Sequence, residues 1–199
     1  MVNIPFDKEY TESICIGADG FCFQAGDGTV RTVIVGPWTT IPDCSLSQTD
    51  MEILFRKVFP DRKDLSVVMD RIPELGIALL CGAESTTLQE IRSRYPDATI
   101  HSHMYHILND ARYRGRNRIA LFRIDGGFET AAICDGKAAF MNTIHSTDTY
   151  RSAYTIARVW KELGFNQSSA CITTYGIESD SNIIRTLKQL TGEETVCVS

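Results

Sequence analysis

The stretch Arg118-Ile-Ala-Leu-Phe-Arg-Ile-Asp-Gly-Gly-Phe-Glu-Thr-Ala-Ala-Ile-Cys-Asp-Gly-Lys-Ala-Ala-Phe-Met-Asn142 reads as three β-strands in a meander. Its apolar runs cover residues 118–124, 130–134 and 137–142, parted by Asp125-Gly126-Gly127 and Asp135-Gly136. An Asp-Gly pair between apolar runs supplies the positive-φ residues a tight hairpin needs. A helix is predicted over 147–163, with Tyr150, Tyr154, Ala157, Trp160 and Leu163 inward, and Gly164 closes it in the C′ role. A strand over 170–174, a Tyr175-Gly176 turn, a helix burying Ile183, Ile184, Leu187 and Leu190, and a strand over 195–198 complete this half.

Working back from that stretch, the first half shows the same order. Strands are predicted over 13–16, 21–25 and 29–35, punctuated by Ala18-Asp19-Gly20 and Gly26-Asp27-Gly28. Gly36-Pro37 ends the meander because proline cannot donate to a ladder, and a polar loop is expected to Thr49. Met51, Leu54, Phe55 and Val58 then form one helical stripe, and 66–69 and 77–81 read as strands. A helix follows Ser85, with Thr87 and Glu90 at capping-box spacing, and Pro96 stops it. A strand at 98–100 and a helix over 102–112 burying Met104, Ile107, Leu108 and Ala111 end the half.

Asp27-Gly28 and Asp135-Gly136 lie 108 residues apart, and a one-residue slip brings Phe21 onto Phe128. Strand-strand-strand-helix-strand-helix therefore recurs, which predicts two α/β lobes, 1–113 and 114–199, with helices covering mixed sheets across a cleft.

Composition sets the outer limits. With 199 residues, 43% hydrophobic and 23% charged, the chain is neither disordered nor fibrous. A net charge of −5 lacks the basic excess of a nucleic-acid binder, and Arg112, Arg114, Arg116 and Arg118 read as a solvated turn. No 18-residue apolar run and no basic-then-apolar leader is present, so a cytoplasmic protein is expected. The seven cysteines are odd in number, none is spaced Cys-x-x-Cys, and most sit in apolar runs, as free thiols do in a reducing compartment.

His101-x-His103-x-x-His106 is the one histidine cluster. On the expected helix, His103, His106 and Asp110 fall within about 60° of one another, on a face turned away from Met104 and Leu108. A surface metal site on these three is one reading; a solvated polar face is preferred, since no second ligand-bearing segment stands nearby. His145 reads as a loop residue. Cys134 and Cys171 sit in apolar strands and read as structural. No nucleophile elbow, zincin helix or Walker phosphate loop occurs. Tyr150, Tyr154 and Trp160 are expected in the core; any part exposed would suit a partner surface.

Ser13-Ile14-Cys15-Ile16 with Gly20-Phe21-Cys22-Phe23, Ile100-His101-Ser102, the hairpin around 124–140 with Asn142, and Asp148-x-Tyr150 carry a resemblance over most of the chain. The chain resembles a bacterial domain-of-unknown-function family, catalogued as 3822, related in fold to the pilus-assembly protein PilM. It thereby resembles the actin-like, sugar-kinase and heat-shock-seventy superfamily. That resemblance implies duplicated ribonuclease-H-like lobes, the first shortened, and ATP with magnesium held between them by glycine-rich hairpins and carboxylates. The PilM likeness implies an assembly role near a membrane's cytoplasmic face.

At the first hairpin, Gly17 stands where a carboxylate belongs and Phe21 where a small hydroxyl belongs. The second keeps Asp125, Gly126 and Gly127, yet Phe128 again replaces a hydroxyl residue, and the adenosine glycines reduce to Gly176. Phe21 and Phe128 are expected to fill the phosphate space. A degenerate nucleotide site and a non-catalytic protein acting through a protein partner or a homo-oligomer are therefore expected, without nucleic acid or membrane insertion. An ATP-binding or ATP-hydrolysing protein using Asp125, Gly126, Gly127 and Gly176 is the alternative, and a surface metal-binding protein the second.

Overall fold

The computed structural model describes residues 12–16, 20–24, 30–110, 113–192 and 196–198. The chain divides into two compact units, with the boundary between Asn109 and Asp110.

In the second unit, whose elements follow the seven strands and three helices of the first, β8 (Asn117–Ile124), β9 (Gly127–Cys134) and β10 (Lys137–His145) form the expected meander. At Asp135 and Gly136 φ is 50° and 72°, the pair of left-handed residues that a two-residue hairpin turn demands. Asn117 holds that turn, its side-chain oxygen accepting from the Asp135 N–H at 2.7 Å. α4 (Thr149–Glu162) crosses to β11 (Ala170–Tyr175), and α5 (Asn182–Thr191) to β12 (Val196–Val198). The sheet order is β10-β9-β8-β11-β12, with β11 parallel to both β8 and β12. One sheet face packs on α4 and α5 in a core of Ile119, Leu121, Phe128, Ala132, Ile156, Trp160, Ile172, Ile184 and Leu187.

α4 is rotated from its expected phase. Its buried set is Ser152, Ala153, Ile156, Val159 and Trp160, whereas Tyr150 and Tyr154 are 63% and 64% exposed. The aliphatic residues hold one consistent 3.6-residue phase, and the tyrosines lie off it; their hydroxyls stay in water. Leu190, expected inside, is 39% exposed.

The first unit is more elaborate than the sequence suggests. β1 (Glu12–Ile16), β2 (Gly20–Gln24) and β3 (Val30–Ile34) form a meander whose turn at Asp27-Gly28 lies outside the described residues. After Gly36-Pro37 comes β4 (Trp38–Pro42), a strand where a polar loop was expected. α1 (Gln48–Val58), β5 (Leu65–Ile72) and β6 (Ile77–Glu84) join it in a separate sheet of order β4-β6-β5. Pro37 ends the first ladder yet enters the next, its carbonyl accepting from the Gly82 N–H at 2.8 Å. Ser47 and Asp50 cap α1 reciprocally, and Met51 and Phe55 pack on Val67 and Leu80, while Val58 in the last turn is 53% exposed.

α2 (Ser85–Arg94), β7 (Thr99–Ser102) and α3 (His103–Leu108) return the chain to the first sheet. There β7 pairs parallel with β3, giving the order β1-β2-β3-β7. In the second unit the returning strand β11 pairs instead with β8, the first strand of its meander. The two sheets therefore differ in strand order, and the βαββ segment β4-α1-β5-β6 has no counterpart after β10.

Candidate functional site

β8 and β11 run parallel, so their C-terminal ends emerge together at one end of the second-unit sheet. That end carries Asp125 and Gly126 from the β8–β9 turn, Gly176 after β11, and the N-terminus of α5. The crevice beyond the carboxyl ends of parallel strands is the usual ligand position in α/β sheets.

The local chemistry of this end is spare. Ile124 pairs with Gly127, leaving only Asp125 and Gly126 unpaired in the turn. Gly126 has φ of 77° and open space where a Cβ would stand, so the turn alone explains it. Gly127 is demanded by packing: a Cβ there would overlap the Ile144 carbonyl of β10. Gly176, also left-handed at 67°, is exposed. The loop at 176–181 contributes Glu178 and Asp180, both exposed, and neither loop holds a lysine or arginine. Arg123, the last cation of β8, stands opposite Phe128 on the helix-covered side. A magnesium nucleotide needs several free amides and cations for its phosphates. Two turn residues among three carboxylates fit that requirement poorly.

Phe128 does not fill this space. Its ring is 6% exposed inside the core shared with Trp160 and Ile184, because residue 128 falls on the same strand face as Ala132. The steric block expected from Phe128 is therefore corrected. Gly17 and the Phe21 side chain lie outside the described residues.

The opposite face of the sheet buries a polar group of residues. The Tyr175 hydroxyl donates to Asp110 Oδ2 at 2.8 Å, and burial, with Asp110 adding, pushes the phenol pKa well up. Arg118 is 1% exposed, its guanidinium 5.3 Å from the Tyr113 ring centroid, so it belongs to β8 and not to a solvated turn. Arg114 and Arg116 are exposed as expected; Arg112 lies outside the described residues.

The histidine cluster is rearranged. α3 ends at Leu108, which leaves Asp110 off its face. His103 is fully buried, its Nδ1 donating to the Ile34 carbonyl at 3.2 Å, and is not on a solvated face. Among the described residues no three His, Cys, Asp or Glu are arranged to hold a metal ion. Burial, with His101 adding, lowers the His106 pKa to about 4.

What sequence reading missed is Asp70. β5 runs past Met69 to Ile72 and turns Asp70 inward at 3% exposure. Its Oδ1 meets His101 Nδ1 at 2.7 Å, and its Oδ2 accepts from both the N–H and the hydroxyl of Ser102. His101 stacks on Tyr105, centroids 4.0 Å apart, and meets His106 edge-on at 5.7 Å. The composition is that of an acyl-transfer triad, but the wiring is not. The Ser102 hydroxyl donates to the Asp70 carboxylate instead of to His101 and caps α3, accepting from the Tyr105 N–H. The only signal for it in the sequence was an aspartate inside a β-branched run.

No family model matches the chain, and no curated protein matches it. Among solved structures, it is similar to a Bacteroides thetaiotaomicron protein with an actin-like ATPase fold and unknown function, at 18% sequence identity and a TM-score of 0.72. The match covers 100% of this chain and 94% of that one, and it assigns the chain the actin-like ATPase fold.

Proposed function

We propose that the chain is a non-catalytic, PilM-like member of the actin-like fold that works through protein–protein contacts, as a scaffold or assembly component. The observation that carries this reading is the second hairpin. Its turn is two residues long, Gly127 is committed to the Ile144 carbonyl, and the adjoining loop adds carboxylates without a cation. The two tyrosines exposed on α4 support the interaction half of the reading, since tyrosine is favoured at protein interfaces. Fold alone does not confer the activity of other members.

A second reading, an ATP-binding protein, draws on the convergence of Asp125, Gly126, Gly176 and the α5 N-terminus at one sheet end. The two separate in an ATPase assay with magnesium, run beside light scattering and co-purification from native expression. The scaffold reading expects no turnover above buffer together with a partner or a defined oligomer. Turnover abolished by Asp125→Ala, or a strict monomer without a partner, overturns it.

A further inference from the structure

Charge is unevenly placed along this chain. It carries a net −5 overall, yet α4 and α5 together hold Arg151, Arg158, Lys161, Arg185 and Lys188 against the single carboxylate Glu162. The two helices share one core, so they form one layer over the sheet.

The outer side of that layer is aromatic as well as cationic. At about 100° per residue, Tyr150, Tyr154 and Lys161 fall within roughly 40° of one another, and Arg151 and Arg158 flank them on one side. Both tyrosines are nearly two-thirds exposed, and Arg151, Arg158 and Lys161 are exposed beside them. Among the described residues, the ion pair on this face, Arg158 to Glu162 at 2.7 Å, joins side chains 79% and 60% exposed, which water and salt screen. It can be exchanged for a stronger partner at little cost.

We infer that the Tyr150–Tyr154 face of α4, with Arg151, Arg158 and Lys161, docks an acidic segment of a partner protein. The inference deepens the interaction reading above and rests on it. Charge complementarity selects the occupant: the cations would meet Asp and Glu side chains, and the two rings would take aliphatic side chains between them. A nucleic acid fits less well. Its phosphates would meet the rest of a chain that is acidic, and Glu162 stands among the cations they need. An anionic membrane finds no large apolar side chain on this α4 face to insert.

The test is selection of a random 16-residue peptide library on the full chain, followed by fluorescence anisotropy of the enriched peptides. The expected result is enrichment of peptides with excess Asp and Glu around aliphatic residues, bound more weakly as salt rises. Tyr150→Ala with Tyr154→Ala should weaken binding at least tenfold, as should Arg151→Glu with Lys161→Glu, with thermal melts unchanged. Three results overturn the inference: no acidic enrichment, binding indifferent to both double variants, or stronger binding to a 20-nucleotide RNA or to phosphatidylglycerol vesicles at this face. ATP turnover would remove the scaffold reading without touching the peptide result. Failed selection by an ATP-inert chain would remove this surface alone.

Discussion

Asp70 Oδ2 accepts two hydrogen bonds from one residue, Ser102, from its backbone N–H at 2.8 Å and from its hydroxyl at 2.7 Å. β5 and β7 belong to different sheets, so this carboxylate ties the sheets of the first unit together at the start of α3.

Asp70→Ala leaves the Ser102 N–H and hydroxyl buried without their acceptor. Hydrogen bonds to a charged group are worth about 1.5–3 kcal/mol, and the loss should be about 3 kcal/mol in a urea titration. Ser102→Ala keeps the carboxylate and its other partners and should cost about 1 kcal/mol. Equal losses would contradict the role given to Asp70.

His106 makes stability depend on acid. Folded, it stays neutral down to about pH 4; unfolded, it takes a proton from about pH 6.5 downward. The unfolded chain binds more protons in that window, so stability falls as pH drops from about 6.5 to about 4, by about 3 kcal/mol at the lower end. The urea midpoint measured from pH 7.5 to 4.5 should show this fall, and His106→Gln should flatten it. A midpoint that rises on acidification would contradict the burial of His106.

The adjacent glycines of the β8–β9 turn should separate cleanly. Gly126→Ala meets open space and only left-handed strain, costing about 1–2 kcal/mol. Gly127→Ala forces β9 and β10 apart around the Ile144 carbonyl and should cost about 3 kcal/mol, with amide exchange accelerated along β10. The reverse order would mean that the glycines serve a ligand and not the hairpin.

Much of this architecture could be read in the residues, and the failures share a cause. The Asp125-Gly126 and Asp135-Gly136 turns and the strands between them are local, set by φ preferences and spacing a few residues apart, whereas the capping box expected at Thr87 and Glu90 is absent because α2 already begins at Ser85 after Glu84, with no side-chain cap. β4 was missed because Trp38–Pro42 looks polar on its own; its partner β6 lies about 40 residues further on. Tyr150 and Tyr154 were placed inside on helical spacing with Trp160, when Ile156 and Val159 set the phase of α4. Phe128 was judged by its position in a motif, while strand alternation decided where its ring went. Asp70 gave no spacing signal at all, since His101 and Ser102 reach it across 31 and 32 residues.

Phe128 offers a direct contrast between core and site. Phe128→Ala should lower stability by about 3–5 kcal/mol, the range for large buried aromatics, while Tyr154→Ala stays within about 0.5 kcal/mol. Chemical denaturation of both variants checks this. A Phe128→Ala protein of unchanged stability would return the ring to the phosphate space.

Calorimetric titration of the full chain with magnesium ATP at millimolar concentration bears most directly on the degenerate site. No heat beyond dilution is predicted, for the chain as it stands and for Asp125→Ala alike. Stoichiometric binding that vanishes in Asp125→Ala would contradict the account.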